Sequence, residues 1–456
     1  MIVHIGFDDM DSLSGGCTSY ICALIIERIS RLRVRFLDYP NLIRLNPNVP
    51  WKTKGNGAIC LRVETDEELR DLEEAVVGLV EENADLEDPR TSPGIVFLPG
   101  EVPREVEEFS ERALFDLVKL SSAIKLVRDN GGEAIGLKGG RGIVGGLAAI
   151  GNRLLSDHTF EMIAYRAREN YGKRRLVDPE SVEKMDRLTR PMTFNNLDRE
   201  SGRVLITPRG PDPVLVGIRG ESPDILFDAF SKVKIGEPVE RWVLFRTNQG
   251  TDAHLRVDFR IVELKPFRSA CVKGIVSSPP KVIEGGHVIF KLSNGSGEID
   301  CAAYEPSGDL NRVARKLIVG DLIKAYGGVR RASRAHPRTM NLEKIEILEL
   351  ARALEFRNPR CPSCGRGMES AGRGQGYRCR RCKTEAKEKV AFEVPRAISP
   401  GTYLASPRAH RHLTKPLSRY GLEKGSWAPS PPGPFFGLGP PPARIPRWPL
   451  GGCQPI

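Results

Sequence analysis

The sequence predicts a multidomain α+β protein: an N-terminal α/β domain, a ferredoxin-like α+β domain, an OB-fold β-barrel and a zinc ribbon. Three observations predict it. With 456 residues the chain has room for three or four domains that each bury a core. Near residue 265 the apolar spacing changes from strands separated by long helical stretches to closely spaced strands. Two C-x-x-C pairs, Cys361 and Cys364 then Cys379 and Cys382, follow those strands.

In chain order, MIVHIGF and AICLRVE read as strands, with TDEELRDLEEAVVGLVEE and VEEFSERALFDLVKL as amphipathic helices. These make residues 1–155 the first domain. For residues 156–262 the pattern predicts a helix over DHTFEMIAYRARENY, short strands at VLITPRG and PVLVGIRG, a helix over PDILFDAFSKV and the strand RWVLFRTNQ, an order that fits a ferredoxin-like domain. Residues 263–352 give three strands (ACVKGIVSSP, HVIFKLSN, GEIDCAAYE), a short helix LNRVARKL and two strands (DLIKAYGGVRRA, NLEKIEILEL), the order of a five-stranded OB barrel. The ribbon takes residues 353–392. Residues 393–456 turn basic and then Pro- and Gly-rich, a composition expected to stay extended and bury little. No role is assigned to the end of this tail, beyond about residue 425.

The net charge of +11 is unevenly placed. From Ala351 onward there are 19 basic and 6 acidic residues, or +13; residues 1–350, with 50 basic and 52 acidic, carry −2. The last quarter is therefore the part suited to a polyanion. No run of 18 apolar residues and no secretory signal is evident, so no membrane span is expected. Paired cysteines without a signal favour metal over disulfides and a cytoplasmic setting.

The chemistry starts at GFDDMDSLSGGCTSY, where Asp8, Asp9 and Asp11 crowd the end of the first strand. Such carboxylates repel one another unless a cation offsets them. Gly15 and Gly16 lead into Thr18 and an apolar helix, whose N-terminal N–H groups suit phosphate. The stretch reads as a site for Mg-nucleotide, against a solvated acidic turn. In RLNPNVPWKTKGNGA, Arg44, Lys52 and Lys54 flank Asn56 and Gly57, and a basic loop of this kind suits phosphate contact. In GLKGGRGIVGGLAAIG, Lys138 and Arg141 sit on a glycine-rich loop. Gly140, Gly142 and Gly145 fit G-x-G-x-x-G weakly, with Glu161 about twenty residues on, and equally suit close packing. No P-loop motif and no Lys-x-Asp-Gly occurs, so any ATP site is of a rarer kind.

The four cysteines place sulfur at every corner of a tetrahedron, which makes the predicted zinc structural. Around them lie Arg366, Arg373, Arg378, Arg380, Arg381, Lys383 and Tyr377, suited to a phosphate backbone and a stacked base. In TNQGTDAH, the residues Asn248, Gln249, Asp252 and His254 suit either a small polar substrate or a strand-end turn.

Taken in order, GFDDMDS, CTSY, LIRLNPNVPWKTKGNGA, GRGIVGGLAAIG, TNQGTDAH, the OB fold, the ribbon and AHRHLTKPLSR resemble the archaeal tRNA-isoleucine 2-agmatinylcytidine synthetase family. The resemblance runs to about Tyr420. It implies a kinase-like first domain and an ATP-dependent ligase that replaces the C2 oxygen of the wobble cytidine in CAU-anticodon isoleucine tRNA with agmatine. It also implies that Asp8, Asp9 and Asp11 hold Mg-ATP, that Thr18 and Lys54 meet the phosphates, and that the OB fold and ribbon grip the tRNA, with no obligate protein partner. Met10 stands where the family usually has Thr, and Trp51 where it has Tyr. The alternative from another class is a non-catalytic tRNA- or single-strand-binding protein.

Overall fold

The computed structural model describes residues 1–52, 55–334, 336–426 and 432–445. Its first domain is built on β1 (Ile2–Asp8), α1 (Thr18–Ile29), β2 (Val34–Phe36), β3 (Asn41–Arg44), β4 (Gly57–Thr65), α2 (Leu69–Asn83), β5 (Gly94–Pro99), α3 (Arg104–Phe115), α4 (Leu120–Asp129), β6 (Glu133–Gly136) and α5 (Gly142–Gly151). The strands form an antiparallel sheet in the order β6-β5-β1-β4-β3, with β2 paired to β4. Alternation along β1 sorts its side chains between two layers. Val3, Ile5 and Phe7 enter the core with α1 and α2, while Val96, Leu98 and Cys60 from neighbouring strands enter the core with α3, α4 and α5. The single helix expected over VEEFSERALFDLVKL, residues 106–120, ends at Phe115, and a separate α4 follows.

The second unit holds β7 (Thr159–Arg166), α6 (Pro179–Thr189), β8 (Thr193–Phe194), the pair β9 (Leu197–Asp198) and β10 (Arg203–Val204), β11 (Val214–Gly220), α7 (Pro223–Ser231) and β12 (Val239–Thr247). Here the helix expected over DHTFEMIAYRARENY is wrong. Residues 159–166 are β7, buried along its whole length between β11 and β12. A strand covered on both faces loses the polar alternation that marks a strand, and its apolar run imitates a helix. The helix of this region is instead α6, started by Asp178 accepting from the Glu180 N–H, with Pro179 at its first position. VLITPRG contributes only β10. A parallel pairing of β12 with β3 joins the two halves into one sheet, and the buried Arg246–Asp38 ion pair lies at that join.

The barrel comprises β13 (Ser269–Val276), β14 (Lys281–Val282), β15 (Val288–Ser293), β16 (Glu298–Ala303), α8 (Asp309–Ala314), β17 (Leu322–Arg330) and β18 (Thr339–Glu349). It closes because β13 pairs with both β17 and β15, and β16 runs parallel to β18. A two-stranded stalk, β19 (Ala353–Arg357) with β23 (Val390–Val394), carries the ribbon strands β20 (Glu369–Ser370), β21 (Tyr377–Arg378) and β22 (Glu385–Ala386).

The tail departs furthest from expectation. β24 (Gly401–Leu404) adds a strand to β18, and the chain then returns to the second unit with Leu413, Thr414 and Arg419 buried. Arg419 is held between Asp157 and Glu221. Later, β25 (Phe436–Leu438) pairs with β12, and Phe435 packs edge-on against Phe36 with ring centroids 5.0 Å apart. Such burial escapes composition because its partners, charged groups and sheet edges, lie far away in the chain, Asp157 and Glu221 before Arg419 and β12 before β25. Among the described residues no helix is long and apolar enough to cross a membrane.

Candidate functional site

The acidic turn owes its shape to the strand before it and the helix above it. Asp8 is on the face of β1 that meets α5, and that helix lies so close that a side-chain carbon on Gly145 would sit 2.0 Å from Asp8 Oδ2. One on Gly142 would sit 2.2 Å from the Asp8 carbonyl oxygen. The G-x-G-x-x-G pattern is therefore real in its spacing, but its glycines let α5 approach the acidic strand end rather than form a dinucleotide loop. The chain then turns through Asp9 at φ 66°, whose N–H donates to Asp8 Oδ1 at 2.7 Å. Asp9 Oδ2 accepts from Arg141 Nε at 2.7 Å. Asp11 Oδ1 accepts from the Thr18 N–H at 2.9 Å and so occupies the start of α1.

Burial, and then the neighbouring Asp9, push the Asp8 carboxyl up to about 8. Burial likewise pushes Asp9 up to about 6, even though Arg141 opposes it. Two carboxyls that hold protons near neutrality are a donor set short of positive charge, which a divalent cation with oxygen ligands would supply.

The cleft in front of these carboxylates is lined by Asp8, Asp9, Asp11 and Arg141, by Trp51, Lys52, Asn56 and Gly57, and by Asp116, Leu117 and Val118 of the α3–α4 connection. Asn56 is fixed by donating to the Asn46 carbonyl at 2.8 Å. Lys54, expected at the phosphates, lies outside the described residues. Other expected members do not line the cleft. Gly15 and Gly16 close the acidic turn, where the Gly16 N–H donates to Ser12 Oγ at 2.7 Å. Thr18 is buried under that turn, and exposed Lys138 donates to the Asp88 carbonyl at 2.7 Å.

The TNQGTDAH turn is a buried clamp, not an open pocket. Asn248 accepts from the Arg44 N–H at 2.8 Å and donates to the Arg44 carbonyl at 2.9 Å, extending the join of β3 and β12. Asp252 accepts from the Lys415 N–H at 2.7 Å and pairs with Lys344. His254 contacts Glu343 of the barrel at 3.1 Å. Gln249 donates to Glu161, which is not a ribose ligand of a Rossmann type but the centre of a buried network. Arg219 Nε lies 3.0 Å from Glu161, Arg44 stands 3.9 Å away, and His412 Nδ1 is 3.0 Å from both Arg219 and Gln249. Sequence reasoning missed the network as a unit. Its one visible signal was the pair of histidines in AHRHLTKPLSR.

In the ribbon, all four sulfurs lie within 4.8 Å of one another, the spacing of ligands around one ion. Each knuckle turns through a left-handed residue, Gly365 at φ 70° and Lys383 at φ 61°. Apart from the cysteines, the ribbon's apolar cluster consists of Met368, Tyr377 and Ala386, too little to hold a fold without metal. Tyr377, half-buried, packs one side of its ring into this cluster. Arg381 and Lys383 are exposed, while Arg378 and Arg380 stand beside Glu385 and Glu369 at 3.6 and 2.6 Å.

Comparison with known proteins follows the same order along the chain. Family models match for the TiaS TCKD domain at residues 4–139, the TiaS FLD domain at 140–254, an OB-fold nucleic acid binding domain at 270–348 and the TiaS C-terminal zinc ribbon domain at 358–398. The tRNA(Ile2) 2-agmatinylcytidine synthetase TiaS of Archaeoglobus fulgidus is 43% identical over 423 residues, covering 93% of this chain and 99% of the relative. That of Methanocaldococcus jannaschii is 42% identical over 91% of this chain and 98% of the relative. Among solved structures, the TiaS–tRNA(Ile2)–ATP complex superposes with a TM-score of 0.84 at 41% identity. The TiaS–tRNA(Ile2)–AMPCPP–agmatine complex gives 0.81 at 40%, and each covers 92% of this chain and 97% of the other. With these family models matched in order along the chain and identity above 40% over more than nine-tenths of it, the chain belongs to the tRNA(Ile2) 2-agmatinylcytidine synthetase family.

Proposed function

We propose that this protein is an ATP-dependent ligase that joins agmatine to C2 of the wobble cytidine of CAU-anticodon isoleucine tRNA, so that the tRNA decodes AUA. The observation that carries the reading is the cleft in which Asp8, Asp9 and Asp11 face Lys52 and Asn56, in a chain about 40% identical to its relatives over nine-tenths of its length. A pyrimidine C2 oxygen is a poor leaving group, and phosphorylation makes it one that the primary amine of agmatine displaces. Asp8 and Asp9 are suited to a magnesium ion, which would neutralise the ATP phosphates as charge develops. Arg141 holds Asp9 in position and lines the cleft beside it, while Lys52 adds positive charge to the same lining. We assign Lys54 and Thr18 to the phosphate end of this site on family resemblance. The closed contacts of Asn248, Asp252 and His254 support a bracing role for these residues, with Gln249 the member nearest the Glu161 network.

The four cysteines hold a structural zinc, and the exposed Arg381 and Lys383 beside it suit the tRNA backbone. Domain limits near residues 155, 262, 352 and 392 suit the packing, since α5 lies on β1, β4 and β5 and so completes the first domain. A cytoplasmic setting follows from these substrates. The test is ATP consumption by the purified protein. It should require agmatine and this tRNA together; consumption independent of both, or none, would remove the ligase reading.

A further inference from the structure

The chain that leaves the ribbon returns to the second unit and reaches Gly55, next to residues that line the cleft. After β24, residues 405–424 run as a strap with little regular structure over the second unit. Arg408 pairs with Asp198 and Glu200 at 2.9 and 2.7 Å, and Arg419 Nη2 lies 2.9 Å from Asp157. Between these anchors the N–H groups of Gly250 and Asp252 donate to the carbonyls of His412 and Leu413 at 2.9 and 2.8 Å. The TNQGTDAH turn is thus the clamp that fixes His412.

From this position the imidazole reaches Gly55, beside Asn56 and Gly57 of the cleft lining. Its Nδ1 sits between Arg219 Nη2 and Gln249 Oε1, 3.0 Å from each. Its Nε2 edge lies against Gly55, where an added side-chain carbon would stand 2.8 Å from Nε2 and 2.8 Å from Arg44 Nη1. At Gly57 such a carbon would stand 2.6 Å from Arg44 Nη1. Gly55 and Gly57 therefore rest directly on a platform of Arg44 and His412. The same loop presents Trp51, Lys52 and Asn56 to the carboxylates. Arg44, Arg219, Lys52 and Arg411 surround the ring, and burial with their charge keeps it neutral.

We propose that His412, brought in by the C-terminal strap, is a positioning residue for the ligase: it sets the height of Gly55–Gly57 and, through Asn56 between them, the grip on the ATP phosphates. The proposal rests on the reading of the cleft as the ATP site. It gives the strap a part in catalysis although no strap residue lines the cleft.

His412→Ala opens the platform from below, and Gly55→Ala pushes the loop off it from above. Each is expected to weaken ATP-analogue binding and raise KM for ATP by roughly tenfold, the scale of a displacement below 1 Å. The tRNA Kd and the KM for agmatine stay within about twofold. His412→Gln, which keeps a polar group under the loop, restores most of the ATP affinity. Coupling between Gly55→Ala and His412→Ala is expected to be strongly non-additive, because both act through one contact.

A fall in kcat with ATP binding unchanged would make His412 something other than a positioning residue. A uniform loss of tRNA binding, melting temperature and activity would make it a packing residue, and either result overturns the proposal. Should His412→Ala fail to fold, His412→Gln and Gly55→Ala carry the same test. Analogue binding is read without agmatine or tRNA, so it separates failure of this proposal from failure of the ligase assignment. If the wild type binds ATP but modifies no tRNA, only the assignment falls.

Discussion

Replacing Asp8 by Asn is expected to stabilise the magnesium-free protein at alkaline pH while abolishing its activity. Burial and Asp9 raise the Asp8 carboxyl from 3.8 to about 8. Below the unfolded value both states carry the proton, and the group leaves stability unchanged. As pH rises from about 4 to 8 the unfolded chain gives up the proton that the folded chain keeps, so folding stability falls, and above 8 the loss is complete. A shift of about four units at 1.36 kcal/mol each sets a ceiling of about 5–6 kcal/mol. Asp8 faces an open cleft where water relaxes the charge, so about 1–3 kcal/mol is the expected penalty. Asparagine keeps an oxygen to accept the Asp9 N–H and carries no charge. In thermal melts at pH 8.5 with chelator the variant should therefore unfold several degrees above wild type, at about 2–4 °C per kcal/mol. The gap should narrow as the pH falls and close only below about pH 4, where both states keep the proton. Magnesium should raise the wild type's melting temperature and leave the variant's unchanged. A variant that melts below wild type at pH 8.5, or a gap between variant and wild type that is the same at pH 3.5 as at pH 8.5, would refute the charge-crowding reasoning.

Asp9→Asn removes the second carboxylate and the charge that pairs with Arg141, so ATP turnover should fall at least a hundredfold while the tRNA Kd, read by filter binding, moves less than about twofold. Cys361→Ser with Cys364→Ser should lose the bound zinc by elemental analysis and weaken tRNA binding at least tenfold, yet leave ATP-analogue affinity intact. Arg419→Ala should lower stability by about 3–5 kcal/mol in chemical denaturation, because Asp157 and Glu221 would be left buried without their cation.

Much of the site was legible because its parts are local. Asp8, Asp9 and Asp11 follow directly from a seven-residue strand, Lys52 and Asn56 share one loop, and the C-x-x-C pairs encode a ribbon outright. The barrel was legible too, since Gly, Pro and Asn turns separate its strands. What failed was whatever depends on distant partners. β7 reads as a helix because burial on both faces removes the polar alternation of Thr159–Arg166. The strap reads as disorder because Arg408 and Arg419 find their carboxylates, and His412 its clamp, some 160 to 260 residues earlier. Glu161 fits a nucleotide motif by spacing alone, whereas its actual partners, Arg219 and Gln249, are set by strand register.

The most direct measurement is mass spectrometry of the wobble nucleoside after incubating the protein with ATP, magnesium, agmatine and CAU-anticodon tRNA. The account predicts a cytidine heavier by agmatine less water, formed only when all four are present. An unmodified cytidine on tRNA that remains bound would contradict it and leave a binding protein with an acidic cleft.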